Sequence, residues 1–173
     1  MKKFGVSGQR ILKIFHLIMA SLWVGGAVAL NAMTLALGPG QSGAELLGYD
    51  LARKFVDDLI IIPGAMGCLV SGLLISWLTP WGFFKHRWVL VKWILTVGCI
   101  LFGTFILGPM INDQPPITTE LGLQALSDPA YLTNRSNNLL WGGLQVLVIF
   151  FMVAISVLKP WKGKRGSAPI TSS

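Results

Sequence analysis

Four long apolar runs divide the chain, and shorter polar stretches separate each run from the next. The runs cover about residues 11–37, 59–78, 88–111 and 139–158. Each is close to the ~20 residues that an α-helix needs to cross ~30 Å of hydrocarbon. Lipid favours helices, because a helix satisfies its own backbone hydrogen bonds. No run shows the alternation of apolar and polar residues that is typical of a barrel strand. The pattern predicts an all-α, polytopic integral membrane protein that folds as an antiparallel four-helix transmembrane bundle.

The polar stretches set the predicted domain organisation. One four-span membrane domain is expected over residues 1–162, followed by a polar cytoplasmic tail over residues 163–173. A helical lead-in to the second span begins near Glu45. The outer loop at 112–138 contains a short helical pattern of leucines, which either lies on the outer membrane surface or covers the end of the bundle.

Composition agrees with a lipid solvent. The chain is 53% hydrophobic and 12% charged, whereas a soluble domain carries about 25% charged residues. The net charge is +7, which in a soluble protein would suggest nucleic-acid binding. Here the basic residues adjoin apolar runs, so the lipid bilayer with its anionic headgroups is the expected partner, and nucleic acid is not.

The charges also predict the orientation of the bundle. Of 14 lysines and arginines, 10 fall on one side of the four-span arrangement: Lys2, Lys3, Arg10, Lys13, Lys85, Arg87, Lys159, Lys162, Lys164 and Arg165. Only Arg53, Lys54 and Arg135 fall on the other side, together with all 7 acidic residues. Lys92 lies within the third span, where its long side chain can reach back to the basic side. By the positive-inside rule, both termini are predicted to be cytoplasmic.

His16 is the first candidate for chemistry, because ionisable residues inside a membrane are costly and often functional. Helical spacing puts it on one face with Ala20, Trp23, Ala27 and Asn31, which suggests an interior position. A neutral imidazole there can ligate heme iron or a transition metal. The alternative is an interface histidine bonded to a carbonyl, a headgroup or water.

Two residues are candidates for the second ligand. His86 is the only other histidine and falls on the same side of the membrane, although helix rise puts His16 about 10 Å deeper. Met19 lies one turn along from His16. A heme b held in this way would make the protein a b-type cytochrome-like electron carrier rather than a stand-alone enzyme, with axial ligands that tune its potential.

Copper is the weaker cofactor alternative. Cys68 and Cys99 fall near the middle of the second and third spans, and soft sulfur ligands suit Cu(I). The competing interpretation is packing, because Gly64, Cys68, Gly72 and Ser76 recur every four residues. Such a stripe of small residues lets membrane helices approach closely.

A polar cluster is predicted at the outer end of the second span, formed by Arg53, Asp57 and Asp58 with Arg135 from the start of the fourth. Arg53 and Asp57 are four residues apart and can pair on one helix face. Arg135 is a candidate partner for either aspartate. The cluster either lines an access route for protons or cations, or is a solvated helix end.

The first span carries a family resemblance. It reads KIFH at 13–16 and LWVGG at 22–26, and the pair Lys92-Trp93 and the triplet Lys159-Pro160-Trp161 extend the similarity. This pattern resembles bacterial inner-membrane proteins of the copper-resistance-D-like type and related small families of unknown function. The resemblance implies a helical bundle in the bacterial plasma membrane, in which His16 binds heme or copper. The chain is shorter than copper-resistance proteins and has 2 histidines.

Three functions therefore remain open from the sequence. The leading prediction is heme or metal binding with electron transfer to a membrane redox partner. The second is a non-catalytic accessory subunit, because glycines such as Gly142 and Gly143 suit helix association within a homo-oligomer or with a partner. The third is transport of copper or a small solute.

Overall fold

The protein is described by a computed structural model that covers residues 5–78 and 86–159. The predicted polar tail at 163–173 lies outside these residues. Every regular element in the two described ranges is a helix. Four helical stretches are long and apolar enough to cross a membrane: Val6–Ala36, Gly43–Leu78, Arg87–Ser127 and Pro129–Leu158. The prediction of an all-α, four-span membrane bundle is confirmed.

The described elements are numbered in chain order. They are α1 (Val6–Ala36), α2 (Gly43–Val56), α3 (Ile62–Leu78), α4 (Arg87–Phe102), α5 (Gly108–Asn112), α6 (Gln114–Leu121) and α7 (Pro129–Leu158). A π-helical turn, Asp57–Ile61, joins α2 to α3, and a second, Gly103–Leu107, joins α4 to α5. A short 3₁₀ helix, Gly122–Ser127, follows α6.

Both π-helical turns have the same cause in the sequence. Pro63 follows the first turn by two residues, and Pro109 follows the second by two. A proline ring lacks an N–H and clashes with the carbonyl four residues earlier, which is Leu59 in one case and Phe105 in the other. Each of those carbonyls belongs to a widened turn, which accommodates the proline without ending the helix.

The most extensive helix contact among the described residues joins α1 to α3. A Cβ added at Gly64 would lie 2.7 Å from the backbone nitrogen of Trp23 and 3.1 Å from the carbonyl oxygen of Met19. One turn later, Gly67 leaves room for the side chain of Met19. The small residues of α3 therefore face α1, which fixes the register between the two helices.

The two ends of the bundle differ in charge. The start of α1, the end of α3, the start of α4 and the end of α7 meet at one end, which we call the basic end. At the opposite, acidic end, α2, α6 and the 3₁₀ helix pack with the start of α7 around the buried side chains of Leu46, Ala125 and Tyr131. The leucine pattern of the outer loop thus covers the end of the bundle.

Side-chain caps define where these outer helices begin. The Ser42 hydroxyl accepts a bond from the backbone N–H of Glu45 at 3.2 Å, and the Asp128 carboxylate accepts one from Tyr131 at 2.8 Å. The stretch Gly43–Leu78 has 36 residues, so it is about 54 Å long at ~1.5 Å per residue. Since this exceeds the ~30 Å of hydrocarbon, the first turns of α2 extend beyond it.

Candidate functional site

A cavity of about 430 Å³ opens at the basic end between α1, α3, α4 and α7. Cofactor and ligand sites in proteins typically measure roughly 300–1,000 Å³. The wall is mostly apolar and includes the rings of Trp23, Trp88 and Trp93. His16 also lines this cavity, as the interior position predicted for it requires.

Ser71 of α3 holds the imidazole of His16. The Nδ1 atom of His16 lies 2.8 Å from the Ser71 hydroxyl oxygen. That hydroxyl donates its proton to a backbone carbonyl, with Gly67 at 2.5 Å and Cys68 at 3.3 Å as acceptors. Since a hydroxyl has one proton, Nδ1 of His16 is the donor in the bond to Ser71. The neutral ring therefore keeps its lone pair on Nε2, the nitrogen that is available for a ligand.

The structure separates the predicted partners of His16 from the cavity. The Met19 side chain packs against Gly67, in the contact between α1 and α3. His86 lies at the start of α4, with its ring stacked 6.3 Å from that of Trp88. Neither residue is among the described residues that line the cavity. A further candidate sulfur ligand in the described cavity wall is Met152 of α7, whose sulfur accepts a bond from Thr96 at 3.5 Å.

The two cysteines have different surroundings. Cys68 lines the cavity, and its thiol lies 3.9 Å from the carbonyl oxygen of His16. Cys99 is buried in the apolar core with Trp23 and Ile149 and is not part of the described cavity wall. The cavity therefore does not bring Cys68 and Cys99 together, as the predicted copper site would require. Within the described ranges, no group of three histidine, cysteine, aspartate or glutamate residues is close enough to hold a metal ion.

Three lysines line the cavity: Lys13 of α1, Lys92 of α4 and Lys159 at the end of α7. The Lys92 ammonium donates to the Ser156 hydroxyl at 2.5 Å, and that hydroxyl donates to the carbonyl of Met152 at 2.7 Å. Lys159 has a left-handed backbone, with φ 46°, and its N–H closes the last turn of α7. The cavity therefore combines an apolar wall with a cationic edge.

The acidic end holds a buried polar network that the sequence did not reveal. The carboxylate of Asp50 accepts bonds from Arg53 at 3.1 Å, from Thr118 at 2.6 Å and from the hydroxyl of Tyr131 at 3.1 Å. Arg53 also donates to the Gln114 side chain at 2.7 Å. Asp50 and Arg53 are each 1% exposed, so this is an internal ion pair that joins α2 to α6 and α7.

Two predictions about this end are wrong. Arg53 pairs with Asp50 and not with Asp57, because the side chain turns inward towards α6. Arg135 does not pair with an aspartate, since it donates to the carbonyls of Thr34 and Leu37, each at 3.2 Å. At this helix end, Lys54 forms a partly exposed ion pair with Asp58, at 2.8 Å.

A row of polar residues follows one face of α7 through the bundle. Asn138 and Gln145 are buried, and Asn31 of α1 contacts the same face where Gly142 leaves room for its amide. The nitrogen of Asn31 donates to Ala27, and that of Asn138 donates to Leu107. Asn138, Gly142 and Gln145 follow one another at spacings of four and three residues, which was a sequence signal for an interior face of α7.

Comparisons with protein-family models, with curated proteins and with solved structures find no match to this chain. The function is therefore inferred from the chemistry of the cavity.

Proposed function

We propose that this protein binds heme b through Nε2 of His16 and carries electrons in the membrane. The observation that supports this most directly is the bond from Nδ1 of His16 to Ser71. Histidines that ligate metals commonly donate their other ring nitrogen to a fixed acceptor, which orients the ring and sets the tautomer. In this protein the acceptor is itself fixed, because its proton is bonded to the carbonyl of Gly67.

The lining of the cavity fits the shape and charge of this cofactor. An apolar wall with tryptophan rings suits a flat macrocycle, and the lysines suit its acidic substituents. Met152 lines the same cavity and, in place of Met19 or His86, would be the second residue to hold the iron. Heme would supply reversible one-electron chemistry at its iron, with a potential that depends on the residues that hold it. The chain would contribute the ligand, its orientation and a mostly apolar wall.

We further propose that the protein lies in a bacterial plasma membrane with its basic end and both termini in the cytoplasm. The distribution of lysine and arginine along the chain supports this orientation. The cofactor would then lie towards the cytoplasmic leaflet, within reach of a redox partner in the membrane or at its inner surface.

The test is an absorption spectrum of the purified protein after expression with heme supplied, recorded oxidised and reduced with dithionite. A Soret band with sharp reduced peaks is expected for the wild type. His16→Ala should lose it, whereas His86→Ala should keep it, because His86 is not in the described cavity wall. A protein that stays colourless would refute the proposal and would favour the accessory-subunit alternative.

Copper is a second candidate, on the specific observation that Cys68, Met152 and His16 line one cavity. Two sulfur atoms and an imidazole form a donor set that suits Cu(I). The measurement is the copper content of protein purified after growth in copper. Cys68→Ser should lower it and Cys99→Ser should not, because only the first of these two buried residues faces the cavity. Equal copper content in both variants and the wild type would remove the cysteines from the site.

A further inference from the structure

The basic end of the bundle has no acidic side chain. All 7 aspartates and glutamates of the chain fall within residues 45–58 and 113–128, which belong to the acidic end. The two ion pairs found among the described residues, Arg53 with Asp50 and Lys54 with Asp58, also lie there. The cationic edge of the cavity therefore has no carboxylate side chain within the chain to neutralise it.

The lack of a carboxylate is energetically costly for Lys92. It lies within α4, it is partly buried, and its hydrogen-bond partner across the cavity is the neutral hydroxyl of Ser156. The Ser156 hydroxyl donates its own proton to Met152, so it can only accept from Lys92. An ammonium has three donors, and a membrane interior offers little solvation for those that remain. A charge in this position is stabilised when an anion reaches it.

Lys159 supports the same conclusion by a different route. Among the described residues other than glycine, it is the only one with positive φ. A left-handed backbone costs a residue with a side chain roughly 1–2 kcal/mol relative to glycine, which is the usual residue at such a helix end. The Lys159 side chain is present despite this cost, and it lines the cavity together with Lys13 and Lys92.

We propose that Lys92, assisted by Lys13 and Lys159, binds the carboxylates of the cofactor, which for heme are its two propionates. This inference rests on the proposed function, and it explains how the site would select its ligand, by the carboxylates. The ligand class is an amphiphile with a flat apolar body and carboxylates along one edge. Lys92 acts by binding and orienting this edge, so it is a specificity residue and not an iron ligand.

The experiment compares hemin with hemin dimethyl ester, which has the same macrocycle without the two charges. Each is titrated into cofactor-free protein in nanodiscs and followed at the Soret band. The wild type is expected to bind hemin ~10-fold more tightly, the effect of a charge-assisted hydrogen bond in a poorly solvated site. Lys92→Gln should lose most of this preference, with the remainder due to Lys13 and Lys159, and Lys92→Arg should restore most of it.

The matched control is Lys54→Gln, which removes a lysine from the exposed pair at the acidic end and should leave the preference unchanged. Lys13→Gln, at an exposed position on the cavity edge, tests the same inference without altering the interior and should reduce the preference. Equal binding of both forms by the wild type would overturn the role of the lysines and leave heme binding intact. Failure to bind either form would refute the proposed function itself.

A lipid phosphate is the competing anion for this edge. In that case Lys92→Gln would lower the amount of anionic phospholipid that copurifies with the protein and leave the preference for hemin unchanged. That result would overturn the inference. Retention of phospholipid together with a lost preference for hemin would support it.

Discussion

Nδ1 of His16 and the hydroxyl oxygen of Ser71 lie 2.8 Å apart, and this bond joins two helices across 55 positions of sequence. The bond fixes which nitrogen of the ring carries the proton. It also depends on the close approach of α1 to α3, so the packing of the bundle and the chemistry of the cavity are linked through one side chain.

Ser71→Ala should therefore impair the cofactor site without unfolding the protein. Removing the acceptor breaks the bond that orients the ring, and loss of such a supporting partner typically lowers metal affinity 10–100-fold. Hemin affinity, measured at the Soret band, should decrease by a factor in this range. Ser21→Ala is the control, because Ser21 is exposed on the same α1 helix as His16 and donates to its own helix, at the carbonyl of Leu17. Equal losses in both variants would contradict the role given to Ser71.

Gly64→Ala should destabilise the bundle. Its Cβ would lie 2.7 Å from the backbone of Trp23, so α1 and α3 would have to separate, at a cost of about 1–3 kcal/mol. The measurement is the free energy of unfolding in mixed detergent. Gly98→Ala on α4 should be neutral or slightly stabilising, because nothing lies within 4 Å of its added Cβ. If both substitutions behave alike, the close contact at Gly64 does not contribute to stability.

Arg53→Met should be strongly destabilising, since it leaves Asp50 as a buried carboxylate without its ion-pair partner. Breaking a buried pair in this way typically costs about 3–5 kcal/mol. The double variant Asp50→Leu with Arg53→Met should unfold less readily than the single one, because no charge remains buried. Asp58→Asn, in the exposed pair with Lys54, should cost less than about 1 kcal/mol. A double variant that is less stable than Arg53→Met would argue that the network is not held by charge pairing.

Lys159→Gly should change stability and binding in opposite directions. Glycine adopts the left-handed conformation without strain, so the free energy of unfolding should rise by about 1 kcal/mol. The same change removes an ammonium from the cavity, so hemin affinity should fall. Lys159→Ala separates the two effects, because it should lower affinity without raising stability. A gain in both properties would show that Lys159 has no part in binding.

Much of the fold follows from the sequence because membranes impose a strict rule. A run of ~20 apolar residues has few alternatives to a helix in lipid, so four such runs determined the bundle. The periodicity of α1 also placed His16 on an interior face, and the cavity agrees with that prediction. Both features depend on the order of apolar and polar residues within a single segment, which can be read from one sequence.

The partners of the site residues depend on register between helices, which local pattern does not determine. Ser71 meets His16 only because Gly64 and Gly67 set how far α3 slides along α1. Arg53 has two acidic neighbours at helical spacing, Asp50 and Asp57. It pairs with Asp50 because its side chain also contacts Gln114 of α6, which packs on that side of α2. Contacts of this kind become visible only when the helices are assembled.

The separation of charge between the two ends gives the molecule a large electric dipole along the bundle axis. Among the described residues, the acidic end carries 3 basic and 7 acidic residues, a net of −4, whereas Arg10, Lys13, Arg87, Lys92 and Lys159 lie towards the basic end. A voltage across the membrane acts on this asymmetry with ~2.3 kcal/mol for each elementary charge and 100 mV. An energised membrane would therefore hold the bundle with its basic end towards the negative compartment and oppose any inversion after insertion.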